Sequence, residues 1–341
     1  MKSSDLDLYR CPQCKNKLVL VRVDKSDKSR DPEEIAEGVL GCSGCAIEYP
    51  IIRSIPRFVK ADNYTDSFGY QWNKFAAIQV GREQKSIAKF RFDKVSGWPD
   101  HLEQELVLEA GCGAGRFTEI ALDTGAQVWS FDLSSAVEAC AHNLDHLGDG
   151  FKRRHHLAQA DIYQIPFSQG VFDKIYCLGV LQHCPDVKKA FLSLGHFLKP
   201  GGELVVDCYL SEPFKHFYNL KYLLRPFLKW WNHELLYKFL SFVISVLFEL
   251  KLGFSKIPLI GEFISRIIPI GKINYEPEFK LTNAQIKLIK TLSIYDMISP
   301  KYDYPQKRDV FWSWIEESGL EVLVFTLGFN GINAKLKRKV V

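Results

Sequence analysis

A chain of 341 residues with 47% hydrophobic and 25% charged residues has the length for a large core and for two or three domains. Its 44 basic residues exceed the 40 acidic ones by only four, so composition does not demand a nucleic-acid partner. Met1 to Arg10 is polar, with no long apolar targeting run, and five of the nine cysteines are scattered singly, which together imply a reducing, cytoplasmic setting.

The other four cysteines stand in two C-x-x-C pairs, Cys11-Pro-Gln-Cys14 and Cys42-Ser-Gly-Cys45. Each pair suits a tight turn that aims two thiolates at one ion, and four soft thiolates specify tetrahedral zinc. Iron held by four cysteines and two redox disulfides are the alternatives. Leu18 to Val23 predicts a strand, and the charged stretch Asp24 to Glu37 predicts a solvated loop. Residues 1–60 are therefore expected to form a zinc ribbon. Tyr49-Pro-Ile-Ile-Arg-Ser-Ile-Pro56 resembles the Y-P-I-x-x-x-I-P segment of small zinc-ribbon activators of tRNA and release-factor methyltransferases. That resemblance implies an activating, substrate-recognising or docking role, beside a purely bracing one.

Ser67-Phe-Gly-Tyr-Gln-Trp72 opens a segment rich in aromatic and basic residues. Arg82 and Arg91 within it could bind a carboxylate or simply be solvated. Next, Leu106-Val-Leu-Glu-Ala-Gly-Cys-Gly-Ala-Gly115 reads as strand, glycine turn and helix start, where missing Cβ atoms let a nucleotide-like ligand approach the backbone. The G-x-G-x-G spacing departs from the G-x-G-x-x-G of pyrophosphate binders. Further strands are expected near 127–132, 156–160, 172–178 and 202–208, alternating with helices, so the sheet should be parallel. Ser135 and Glu138 have capping-box spacing for the helix after the strand near 127–132.

These stations in order resemble class I S-adenosylmethionine-dependent methyltransferases. Glu109-Ala-Gly-Cys-Gly-Ala-Gly-Arg-Phe117 is similar to their motif I, and Phe172-Asp-Lys-Ile175 and Lys199-Pro-Gly-Gly202 to their fourth strand and the turn into their fifth. The resemblance implies an α/β fold with a Rossmann-like seven-stranded sheet closed by an antiparallel C-terminal hairpin. It also implies S-adenosyl-L-methionine as cofactor, held by Glu109, Gly111, Gly113, Gly115, Asp132, Leu133, Asp161, Ile162 and Leu178. Asp132 would hold the ribose hydroxyls and Asp161 the adenine amino group. His183 in Gly179-Val-Leu-Gln-His-Cys-Pro-Asp186 is the candidate base, with Asp207, Tyr209 and His216 weaker choices. Related enzymes fold a helical segment over the cofactor, which nominates Tyr70, Gln71 and Trp72 as lid residues. Cys112 reads as a small buried residue rather than a nucleophile.

The core is expected over 61–209 and again over 306–341, with a helix from Arg308 to Ser318 and strands Glu321–Leu327 and Ile332–Lys337. Phe329-Asn330-Gly331 supplies an N-G hairpin signal between the two strands. Residues 210–305 form a mainly helical insertion expected to build the acceptor pocket. From Ser211 to Lys272, nine basic against four acidic residues leave +5. Phe239 to Phe248 is uncharged but too short to span a bilayer. With Trp230 and Trp231 beside basic residues, this segment fits either a cap on the enzyme or a helix lying on an anionic membrane. Asp296 and Tyr302 join Tyr70, Trp72 and Tyr209 as acceptor-site candidates.

The expected activity is O-methylation of a sugar, lipid-linked glycan or small metabolite, with peripheral contact at the inner face of the membrane admitted. An RNA base methyltransferase with a zinc-ribbon reader is the alternative, weakened because no N-P-P-Y-type motif follows the fourth strand. A non-catalytic cofactor-binding scaffold is the third. The acceptor and the oligomeric state are not encoded legibly.

Overall fold

The computed structural model describes residues 1–28, 33–60, 63–79, 82–211, 220–255, 257, 268, 270 and 281–340. The chain divides into two compact units, Met1–Leu210 with Tyr304–Val341, and Ser211–Asp303.

The first unit begins with a four-stranded antiparallel meander, β1 (Leu18–Asp27), β2 (Glu34–Cys42), β3 (Glu48–Ile52) and β4 (Ile55–Pro56). Most of the expected loop Asp24–Glu37 is strand. Ser26 faces Ile35 and Asp27 faces Glu34 across the ladder, so the charges decorate a solvated hairpin instead of a coil. Helices α1 (Asp66–Gln79) and α2 (Arg82–Ser96) follow. Then come β5 (Leu106–Ala110), α3 (Arg116–Asp123), β6 (Gln127–Asp132), α4 (Ala136–Leu144), α5 (Asp149–Arg154), β7 (His155–Gln159), β8 (Phe172–Cys177), α6 (Val187–Leu194) and β9 (Leu198–Tyr209).

The second unit holds α7 (Leu220–Leu228), α8 (His233–Phe254) and α9 (Asn283–Ile298). Thr282 and Gln285 start α9 with a full capping box, the Thr282 N–H reaching Gln285 Oε1 at 2.8 Å. Arg225 of α7 donates to the carbonyls of Met297 and Pro300 at 3.1 and 2.6 Å, closing the carboxyl end of α9. His216, Lys215, Lys256, Arg266 and Lys272 lie outside the described residues.

Back in the first unit, α10 (Arg308–Ser318) precedes β10 (Glu321–Gly328) and β11 (Gly331–Lys337). The seven-stranded sheet runs β10-β11-β9-β8-β5-β6-β7, with β5 to β9 mutually parallel and β11 antiparallel to both neighbours. Gly328 pairs with Gly331, so Phe329 and Asn330 occupy the turn and the glycine takes the first strand position at φ 118°. The N-G signal thus marks the hairpin but stands one residue late.

Apolar runs such as Leu106-Val-Leu-Glu-Ala110 are buried on both faces, as an inner parallel strand requires. One face packs Phe92, Trp98, Phe117 and Tyr176, while the other packs Phe131, Phe167, Phe191 and Phe311. The second core runs on into the ribbon: Tyr9, 1% exposed, touches Phe58, Trp129 and Phe167 at centroid distances of 5.4–5.6 Å. The ribbon also continues the β7 edge through a parallel bridge between Arg57 and Gln159.

Candidate cofactor site and metal centre

Strand order reverses between β5 and β8, and the crevice at the carboxyl ends of such strands is where open α/β sheets take ligands. Gly111, Gly113 and Gly115 turn the chain out of β5 with φ of 85°, 51° and 87°, the left-handed region that disfavours side chains. A Cβ on Gly111 would stand 2.4 Å from Val180 Cγ2, and one on Gly113 would stand 3.1 Å from the Trp72 ring. The missing Cβ atoms let Val180 and Trp72 close on the loop from either side at the carboxyl end of β5.

Asp132 ends β6 beside that loop. Its Oδ2 accepts from the Gly113 N–H at 2.9 Å, and its Oδ1 accepts from the Ser134 N–H at 2.8 Å and the Ser134 hydroxyl at 2.7 Å. Burial raises its pKa, opposed by the bonds from Ser134 and Gly113. Asp161, just past β7, accepts from the Tyr163 N–H at 2.9 Å, and burial raises its pKa too. Leu133 is half-buried, whereas Ile162 and Leu178 are buried at the same sheet end. Glu109 lies beneath the loop, 2% exposed, accepting from Thr118 at 2.5 Å and Ser130 at 2.8 Å. Burial lifts its carboxyl to about 7, against the hydrogen bonds that favour the charged form.

Helix α1 lies across this end of the sheet. Trp72 meets Gly113, Phe68 meets the His183 ring at 4.9 Å, and Asn73 donates to the Ser135 carbonyl at 3.1 Å. Gln71 and Gln182 are 1% and 0% exposed, and their amide atoms have no hydrogen-bond partner among the described residues. Buried amides of that kind need a ligand or water to satisfy them, so the residues fit a polar cofactor. Tyr70 is half-buried and its hydroxyl accepts from Lys74 at 2.7 Å. His183, 8% exposed, also meets Tyr209 at 5.7 Å edge to face. Asp296 on α9 and Tyr302, whose ring lies 5.6 Å from the Lys301 ammonium, belong to the second unit.

At the other end of the ribbon, Cys11, Cys14, Cys42 and Cys45 bring all four sulfurs within 4.8 Å of one another. Cys11 and Cys45 approach to 3.5 Å and Cys14 and Cys42 to 3.3 Å, near the roughly 3.8 Å edge of a zinc–thiolate tetrahedron. These distances are far longer than a covalent S–S bond of about 2.05 Å. The two turns are built alike. Lys15 and Ala46 both adopt positive φ, 62° and 56°, and their N–H groups return to the Cys11 and Cys42 carbonyls at 2.9 Å. The set is positioned to chelate a metal such as zinc.

A family model described as "Methyltransferase domain" matches residues 108–206. That segment is a methyltransferase domain. The chain is 34% identical over 98 residues to malonyl-[acyl-carrier protein] O-methyltransferase of Enterobacter lignolyticus, covering 29% of this chain and 36% of that one. The chain is also 31% identical over 114 residues to the ubiquinone biosynthesis O-methyltransferase of Pseudomonas paraeruginosa, covering 33% of this chain and 47% of that one. The matches span less than half the length of these curated relatives. A solved S-adenosylmethionine-dependent methyltransferase from Methanosarcina mazei aligns over 70% of this chain and 95% of its own, with 12% identity and a TM-score of 0.42. The cofactor of the methyltransferase domain is S-adenosyl-L-methionine.

Several polar residues of the first unit play other parts than their sequence context suggested. Arg91 turns to Asp207, which is fully buried, and to the Asn330 side-chain oxygen at 2.6 Å, so its carboxylate partner is internal. Asp207 also accepts from the Gly179 N–H at 2.5 Å, which removes it from the candidate bases. Ser135 makes no capping bond; the Ser134 hydroxyl accepts from the Ala136 N–H at 3.1 Å instead, and Glu138 bonds Arg57 at 2.5 Å. Cys112 is buried and its thiol pKa is pushed well up by burial, as a packing residue's would be. Phe68, Ser134 and Gln182 were not foreseen. Only Ser134 carried a usable signal, a hydroxyl two residues after a strand-ending acid.

Proposed function

We propose that the protein transfers a methyl group from S-adenosyl-L-methionine to a hydroxyl of a small acceptor: a sugar, a lipid-linked glycan or a similar metabolite. The observation that carries this reading is the Gly113–Asp132 contact, which fixes the carboxylate at the mouth of the glycine turn. Oδ1 is taken up by the two Ser134 donors, but Oδ2 accepts only from Gly113 and keeps a lone pair for a ribose hydroxyl. When bound, the sulfonium donor supplies an electrophilic methyl carbon.

The chain's own residues do the rest. Gly111, Gly113 and Gly115 admit the ligand to the backbone, Asp161 takes the adenine amino group, and Trp72 on α1 covers the turn against water. Holding the acceptor in line contributes up to roughly 7–11 kcal/mol by orientation alone. His183 takes the hydroxyl proton at an imidazole nitrogen, its ring set by Phe68 and Tyr209. Tyr70 and Tyr209 serve the acceptor within the first unit, while Asp296 and Tyr302, nominated by the sequence, belong to the second unit. Oxygen is favoured as the methylated atom because both named curated relatives are O-methyltransferases.

The ribbon acts as a built-in brace with zinc on its four cysteines, because a closed four-cysteine site leaves no coordination position for catalysis. A lipid-linked acceptor further calls for peripheral contact at the inner face of the membrane. The test supplies methyl-labelled donor and purified protein to producer-cell extract, with label counted in lipid, soluble glycan or metabolite, and RNA fractions. Label in the lipid, glycan or metabolite fractions is expected. Label confined to RNA, or none in any fraction, overturns the reading.

A further inference from the structure

Helix α8 carries two apolar faces where a water-facing helix carries one. Leu236, Leu240, Ile244, Phe248 and Lys251 are its buried stripe. Leu235, Phe239, Phe242, Val246 and Leu250 are all exposed, Phe242 by 71%. Spaced by four, three, four and four residues, these five fall within an arc of about 80° on a helix of 3.6 residues per turn. They extend about 22 Å along the axis at 1.5 Å per residue. Just before α8, Phe227 and Trp230 are exposed by 73% and 72%, and Trp231 is exposed as well. Among the described residues no other element exposes so long a line of large apolar side chains, and lines of this size mark a docking surface.

Charge identifies what docks. Between Leu220 and Phe254 the basic residues are Lys221, Arg225, Lys229, Lys238 and Lys251, of which Lys251 lies on the buried stripe, and the acidic ones are Glu234 and Glu249. Both acids are already paired, Glu234 with Lys238 at 3.0 Å and Glu249 with Lys287 at 2.5 Å. Lys229 lies 4.8 Å over the Trp230 ring, an ammonium and an indole side by side as at a lipid headgroup boundary. None of the described helices is long and apolar enough to cross a membrane, so the stripe suits a helix that lies in the surface plane.

We infer that the α8 stripe, with Phe227, Trp230 and Trp231, is an interfacial docking surface for an anionic lipid bilayer. The inference deepens the peripheral-membrane part of the proposed function and rests on it for the choice of a lipid partner. Its geometry belongs to the second unit alone.

The full chain is floated with vesicles of phosphatidylcholine, alone or mixed with phosphatidylglycerol, at low and high salt. Binding to the mixed vesicles is expected, weakened by salt and absent on pure phosphatidylcholine. Phe242→Ser and Leu235→Ser should each weaken binding about tenfold or more while leaving the melting temperature in place. Should either variant unfold, quenching of Trp230 by brominated lipid in the unaltered chain gives the same answer, set against Trp230→Phe. No flotation with anionic vesicles overturns the inference. So does a dimer, seen by light scattering, that Phe242→Ser dissociates while vesicles stay bare, because the stripe then joins two copies. The assay contains neither methyl donor nor acceptor, so its failure is separable from a failure of methyl transfer.

Discussion

Gln159 joins the ribbon to the cofactor crevice. Its Oε1 accepts from the Arg57 guanidinium at 3.1 Å, and its Nε2 donates to the Leu133 carbonyl at 3.0 Å, one residue past Asp132. The same arginine bonds Glu138 of α4 at 2.5 Å, and the Phe58 N–H bonds the Gln159 carbonyl at 2.8 Å. Arg57→Ala should therefore weaken donor binding several-fold and cost about 2 kcal/mol of stability, since Glu138 loses a charged partner in a half-buried place. Calorimetry with the donor and a melting curve check both, with metal content expected to stay unchanged.

Metal removal should act first on stability. The ribbon meander has few fully buried side chains of its own, so four cysteine ligands stand in for part of a core. Chelation, or Cys42→Ser, is expected to lower the melting temperature and to speed amide exchange across β1 to β3. An unchanged melting curve after complete loss of metal would count against a structural ion.

How far the sequence disclosed this molecule depended on whether a feature was local. The glycine turn, the strand-ending Asp132 and the two C-x-x-C pairs are short-range patterns, and each is found in the expected place. The hairpin at Phe329–Asn330 was located but misregistered by one, because N-G favours a turn without fixing which residue pairs first. The charged hairpin of β1 and β2 read as a loop, since charge alone does not separate a solvated ladder from coil. The least legible features were long-range ion pairs. Glu138 has capping spacing with Ser135 but is drawn away by Arg57, 81 positions earlier, and Asp207 is claimed by Arg91, 116 positions earlier.

Glu109 should give the stability curve a definite pH dependence. Its carboxyl is raised from 4.5 to about 7 in the folded protein, so the native state holds a proton that the unfolded chain releases. Stability from this group is full below about pH 4.5 and falls as pH rises to about 7, by roughly 3 kcal/mol. Glu109→Gln should flatten that part of the curve, as read by denaturant unfolding at a series of pH values.

His183 is predicted to act in turnover and not in donor binding. His183→Asn should lower kcat about 100-fold, the lower end of what a positioned base contributes, with the donor affinity unchanged. An equal loss in both would make the ring a support for the loop between β8 and α6.

The central claim is that Asp132 and the glycine turn hold S-adenosyl-L-methionine. Titration calorimetry of the full chain and of Asp132→Ala, each checked for folding by circular dichroism, tests it most directly. The account predicts clear binding by the unaltered chain and a loss of about 10- to 100-fold in the variant, the weight of one or two hydrogen bonds to a charged group. Equal affinity in a folded Asp132→Ala protein would contradict it.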